Sequence, residues 1–124
     1  MKGEIPRDQW QTYLEEFSKR NSGRPVNLEV LSEELGDQEE AQMLPFEGIT
    51  LETKGSEGAS VEIMLGSTGA ADDRNLTHTM SQVQLIVPKV GTDGREEALE
   101  IGAEDGTKII LVFKALPELA EAAS

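Results

Sequence analysis

The chain has 124 residues and no cysteine, and its 24 acidic against 11 basic residues leave a net charge of −13. One domain of this size can bury a core without staples, and the lack of cysteine excludes a disulfide framework, a thiolate zinc site and a cysteine nucleophile. The acid excess argues against nucleic acid as a partner, because neutralising phosphates needs clustered bases and the longest base-free stretch, residues 25–53, carries eight acids.

The N-terminus lacks an apolar signal core, and no apolar run approaches the roughly 18 residues of a membrane span. A soluble, cytoplasmic protein is expected. The charge is uneven: residues 1–24 hold five bases and four acids, and the rest hold six bases and twenty acids. Solubility accounts for most of this imbalance, and the rest suits a cationic partner or a near-neutral N-terminal segment docked on an acidic body.

Trp10, Tyr13, Leu14 and Phe17 fall at i, i+3, i+4 and i+7, which predicts an amphipathic helix over about 6–20. Pro6 suits its first position, Lys19 and Arg20 its last turn, and Asn21-Ser22-Gly23 its end. Three of the five aromatic residues lie on this stripe, and the reading is core packing onto a sheet.

From Pro25 the period changes to 2. Val26, Leu28 and Val30 predict a half-buried strand, and Glu39 to Leu44 a second that Pro45 breaks. After a turn at Phe46-Glu47-Gly48 come strands at Ile49–Lys54 and Val61–Leu65, then a long loop from Gly66 to Asn75. Leu76–Met80 and Val83–Val87 read as strands split by a bulge or corner at Ser81-Gln82, with Pro88 marking a strand end or an edge. Residues 115–124 read as a frayed tail with a short helix about Leu116–Ala122.

Between these last elements, Glu97 to Phe113 reads as a β-hairpin about Asp105-Gly106. A three-residue loop with Gly106 in the left-handed region sets Ile101 opposite Ile109 and Leu99 opposite Leu111, and leaves Glu100 and Lys108 together on the other face. A two-residue loop opposes Glu100 to Leu111 and is the poorer pattern. Ile110 and Val112 are apolar on the second face too, so the Ile109–Phe113 strand is predicted central, with the N-terminal helix supplying the second cover. The chain is thus read as one domain, 1–124, mainly β with an N-terminal helix (α+β): a small antiparallel barrel or two-layer sandwich of about seven strands over 25–114.

Ile5-Pro6-Arg7 with Trp10, Leu44-Pro45-Phe46-Glu47-Gly48-Ile49, Leu76-Thr77-His78-Thr79, and Ala98-Leu99-Glu100-Ile101 with Asp105-Gly106 resemble a bacterial family catalogued as domain of unknown function 5335. The likeness spans most of the chain and implies a small fold with no assigned activity. A helix followed by a small antiparallel barrel is also similar to Sm-like and other SH3-like barrels, although the acidic charge departs from the RNA-binding pattern.

Candidate chemistry is sparse. His78 is the one histidine and the first candidate for acid–base work near neutrality. With Asp72 and Asp73 it forms a candidate ligand site, but two adjacent aspartates lack the alternating spacing of a calcium loop. Gly55-Ser56-Glu57-Gly58 and Gly66-Ser67-Thr68-Gly69 lack the Lys-Ser/Thr and helix of a phosphate loop and read as turns. No cofactor and no metal are expected. Adjacent carboxylates such as Glu96-Glu97 point to opposite faces of a strand and read as solvated surface. The favoured reading is a non-catalytic protein-binding or assembly module whose partner is another protein or a second copy of the chain, with Leu85, Val87, Ile110 and Val112 as candidate interface. The uncharged run Val83-Gln84-Leu85-Ile86-Val87, unprotected if it is an open edge, supports a homodimer. The alternative is a small-molecule-binding barrel or a simple acid–base enzyme near His78 and the 66–75 loop.

Overall fold

The fold is that of a computed structural model, which describes residues 4–32, 36–53, 58–66, 76–92 and 94–114, with the side chains of 37–43 outside the description. Asp72, Asp73 and the C-terminal tail therefore lie outside the described residues. A 3-10 turn at Arg7–Gln9 leads into helix α1, Trp10–Asn21. Seven strands follow: β1 Pro25–Ser32, β2 Gly36–Glu52, β3 Ser60–Leu65, β4 Leu76–Met80, β5 Val83–Val90, β6 Glu96–Ala103 and β7 Lys108–Phe113. All pairings are antiparallel, in the order β4-β3-β2-β1-β7-β6-β5.

The long strand β2 shapes the whole. Its first part pairs with β1 as far as Pro25↔Pro45, and its last part pairs with β3 from Phe46↔Leu65 onward. Pro45 does not break the strand, contrary to the sequence reading. Its missing N–H falls where the ladder passes from one neighbour to the other, and its carbonyl still accepts from the N–H of Gly66 at 2.9 Å. A register shift between Phe46 and Gly48 completes the bend. The first sheet, β2-β1-β7-β6-β5, thus folds over the second, β4-β3-β2. Strands β4 and β5 lie at opposite ends of the order but are joined through Ser81-Gln82, with Gln82 at φ 56 making the corner. Among the described residues they form no ladder, so the structure is a sandwich and not a closed barrel.

Period-2 patterning fills the space between the sheets. Val26, Leu28, Leu99, Ile101, Ile109, Leu111, Val61, Ile63 and Leu65 are all buried in one cluster. The hairpin has the favoured register, Ile101↔Ile109 and Leu99↔Leu111, with Gly106 at φ 93, and β7 is central between β1 and β6.

Helix α1 closes the core at the bend of β2. Phe17 is fully buried, with its ring 5.5 Å from Phe46 and 5.6 Å from Phe113. The Ser18 hydroxyl accepts from the Ile49 N–H at 3.0 Å and lies 2.8 Å from the Leu14 carbonyl it can donate to. This corrects one expectation. The helix covers the Phe113 face of β7, which is the core face, and gives no cover to Ile110 and Val112, which stay half-buried on the opposite face. No helix among the described residues is long and apolar enough to cross a membrane.

Candidate interaction surface

Two arrangements of side chains stand out: a polar cluster between α1 and β6, and the outer face of the first sheet.

The polar cluster centres on Glu96, the first residue of β6. It is 6 % exposed, while its neighbour Glu97 is exposed. Its carboxylate accepts from Tyr13 Oη at 3.1 Å, from Asn21 Nδ2 at 3.2 Å and from the Arg20 guanidinium. Arg24 donates to the Glu96 carbonyl at 2.9 Å and to Asn21 Oδ1 at 2.7 Å, and its guanidinium stacks 4.3 Å over Phe113. Burial pushes the Glu96 carboxyl up, but the hydrogen bonds and charge of Arg20, with Asn21 and Tyr13, outweigh burial and hold it below the usual range. Burial, then the charge and hydrogen bond of Glu96, push the Tyr13 hydroxyl up.

The sequence reading of Glu96 as solvated surface is therefore wrong. By strict alternation Glu96 would share the outer face with Ala98 and Glu100, but the register shift between Lys89↔Ala98 and Val90↔Glu96 breaks the alternation at the start of β6, and Glu96 is buried under the helix. The signal that could have found it is the charge asymmetry, because Arg7, Arg20 and Arg24 of the near-neutral N-terminal segment all reach the acidic body. The Glu96 carboxylate ties α1 to β6, and its carbonyl ties Arg24 in the connection that follows the helix. Among the described residues no buried side-chain nitrogen or oxygen lacks a partner.

His78 lies on the inward side of β4 opposite Ile63 and is half-buried. Among the described residues no group of three or more histidines and carboxylates is placed to hold a metal. An open groove of about 230 Å³ runs past the β4–β5 corner, lined by Arg7, Gly58, Ala59, Gln82, Val83, Gln84 and Glu104, without His78.

The outer face of the first sheet brings the candidate interface residues together. Cross-strand partners share a face, so the registers define three rows across β1, β7, β6 and β5: Asn27-Val112-Ala98-Lys89, Glu29-Ile110-Glu100-Val87 and Leu31-Lys108-Gly102-Leu85. Leu85, Val87, Ile110 and Val112 all lie on it, half-buried, together with Leu31 and Ala98. Lys108 pairs with Glu100 across it at 3.4 Å, as the hairpin pattern predicts. The β5 edge itself is less open than its sequence suggests, because the Ile5 N–H donates to the Ile86 carbonyl at 2.9 Å.

Residues 1–122 match a family of unknown function, DUF5335. The chain belongs to this family. It is 30 % identical over 110 residues to an uncharacterized protein of Aquifex aeolicus (strain VF5), a span covering 89 % of each chain. No solved structure matches it.

Proposed function

We propose that this DUF5335 chain is a non-catalytic binding module that docks a protein partner on the outer face of its first sheet. The observation that carries this reading is the grouping of six half-buried apolar side chains, Leu31, Leu85, Val87, Ala98, Ile110 and Val112, across four adjacent strands. Apolar side chains gathered on one sheet face, here interleaved with the Glu100–Lys108 pair, are what protein interfaces use. The Glu96 cluster offers no competing chemistry, since its polar groups are spent on one another.

The test is photo-crosslinking in the native host, with p-benzoylphenylalanine placed at Val87 and, as control, at Glu62, an exposed position of β3 in the second sheet. A discrete adduct at position 87 and none at 62 is expected. Absence of any adduct at 87 removes the reading.

A further inference from the structure

We infer that strand β4 is an assembly edge, along which two copies of the chain pair antiparallel through a two-fold axis at His78. The contact is separate from the outer face of the first sheet, and neither depends on the other.

The two ends of the strand order are protected unequally. At one end, β5 carries Pro88, Lys89 and a register shift between Val83 and Leu85, and its Ile86 carbonyl is taken by the Ile5 N–H. These are among the devices that keep an edge from pairing with another chain. At the other end, β4 has no proline, no lysine or arginine, no carboxylate and an unshifted register on β3. Among the described residues nothing pairs with its free side. The charge along the chain agrees, because residues 74–92 are the longest run without an acid in a protein of net charge −13.

An open ladder takes any extended segment, and what selects a second copy is that β4 is its own complement. A two-fold axis perpendicular to the sheet keeps inward side chains level with inward ones, so it passes through a residue and not between two. Centred on His78 it pairs all five residues of β4, against three for a centre at Thr77 or Thr79. Leu76 then lies opposite Met80 of the other copy on the inward side, and Thr77 opposite Thr79 on the outward side, a favourable cross-strand pair. Glu62, the acid of β3, sits beside Thr79. Three strand spacings, about 14 Å, separate it from Glu62 of the other copy, beyond the screening length of about 8 Å at physiological salt. Pairing joins the two second sheets edge to edge and leaves the outer face of the first sheet free on both copies.

The chain has no cysteine, so single cysteines placed on β4 report the register directly. Thr77→Cys and Thr79→Cys alter exposed positions. When the two variants are mixed and oxidised with glutathione disulfide, mass spectrometry is expected to find the 77–79 disulfide in excess over 77–77 and 79–79. Opposed residues stand within disulfide reach, whereas same-numbered ones are displaced by two residues along the strand, to about 7 to 8 Å.

Light scattering on the unmodified chain, diluted from near-millimolar to micromolar, is expected to give a dimer mass at the concentrated end, favoured by salt as the repulsion between two acidic chains is screened. Thr77→Glu with Thr79→Glu sets carboxylates opposite one another in both threonine pairs and is expected to weaken the dimer by about tenfold or more. Gln9→Glu with Thr12→Glu, exposed near the start of α1, adds the same charge elsewhere and is expected to leave it nearly unchanged. Circular dichroism confirms the fold of each variant.

A mass of one chain at every concentration and salt overturns the inference. So do disulfides without preference for the 77–79 pair, equal weakening by the two glutamate pairs, or a mass above two chains.

Discussion

Arg20 and Glu96, 76 positions apart, meet where the last turn of α1 crosses the start of β6, and the guanidinium donates to the carboxylate. Glu96 is nearly closed to solvent while the Arg20 side chain is 45 % exposed. The pair is thus asymmetric: the cation can return to water if its partner is lost, and the anion cannot. Removing the arginine leaves a buried carboxylate with fewer donors, and removing the glutamate frees a solvated arginine.

Arg20→Ala is therefore expected to cost more stability than surface ion pairs do, about 2 kcal/mol, in the range for a charged hydrogen bond to a buried group. Glu96→Gln keeps the shape and one acceptor, and is expected to cost about 1 kcal/mol. Urea unfolding midpoints of the two variants check the order, which reverses if the carboxylate is in fact well hydrated.

The same cluster has a pH signature. Glu96 is held below its usual value near 4.5, so its contribution is complete above that value and is lost as pH falls through the depressed value in the folded chain. Stability measured against pH should drop more steeply below about pH 4.5 in the parent chain than in Glu96→Gln. Superimposable acid limbs for the two would show that Glu96 is not the linked group.

Phe17 touches Tyr13, Phe46 and Phe113 with ring centroids within 6 Å and has no exposed surface. Phe17→Ala should cost about 3 to 5 kcal/mol. Trp10 is 2 % exposed, and its indole N–H donates to the Ile5 carbonyl at 2.9 Å. Its fluorescence should be blue-shifted and resist quenching by iodide in the native state, and Phe17→Ala should relax that protection if the helix loosens. An unchanged quenching constant in a variant that has lost this stability would mean that the helix stays seated.

What the sequence made legible and what it hid separate along one physical line. Patterns that repeat within a segment were readable: the aromatic stripe of α1, the alternation of β1, β3 and β7, and the hairpin register set by Asp105-Gly106. The contents of one face were readable only in pairs, since Glu100 beside Lys108 follows from the hairpin turn, but uniting Leu85 and Val87 with Ile110 and Val112 requires knowing that β6 lies between β5 and β7. Pro45 misled because a proline ends a strand only where the ladder needs its N–H, and that depends on the neighbours. Glu96 misled for a related reason: its spacing from Ala98 and Glu100 assigns it their outer face, and the register shift that turns it under the helix shows only in its pairing with β5.

The hairpin itself supports a paired test on two glycines four residues apart. Gly106 has φ 93, a conformation that costs an L-residue strain, and it closes the turn through its N–H to the Ala103 carbonyl at 3.1 Å. A Cβ there meets no atom within 4 Å, so the penalty of Gly106→Ala is purely conformational and should be about 1 kcal/mol. Gly102 lies opposite Lys108 in the strand, outside the left-handed region, and a Cβ there makes ordinary contacts at 3.5 Å with the Leu85 side chain. Gly102→Ala should be neutral or stabilising by a few tenths of a kcal/mol, because alanine loses less backbone freedom on folding. The added methyl also lies on the outer face of the first sheet, while Gly106→Ala lowers stability without touching that face. Thermal unfolding of both variants separates the two effects. Equal losses at the two positions would refute the register, because only a shifted hairpin would strain both glycines.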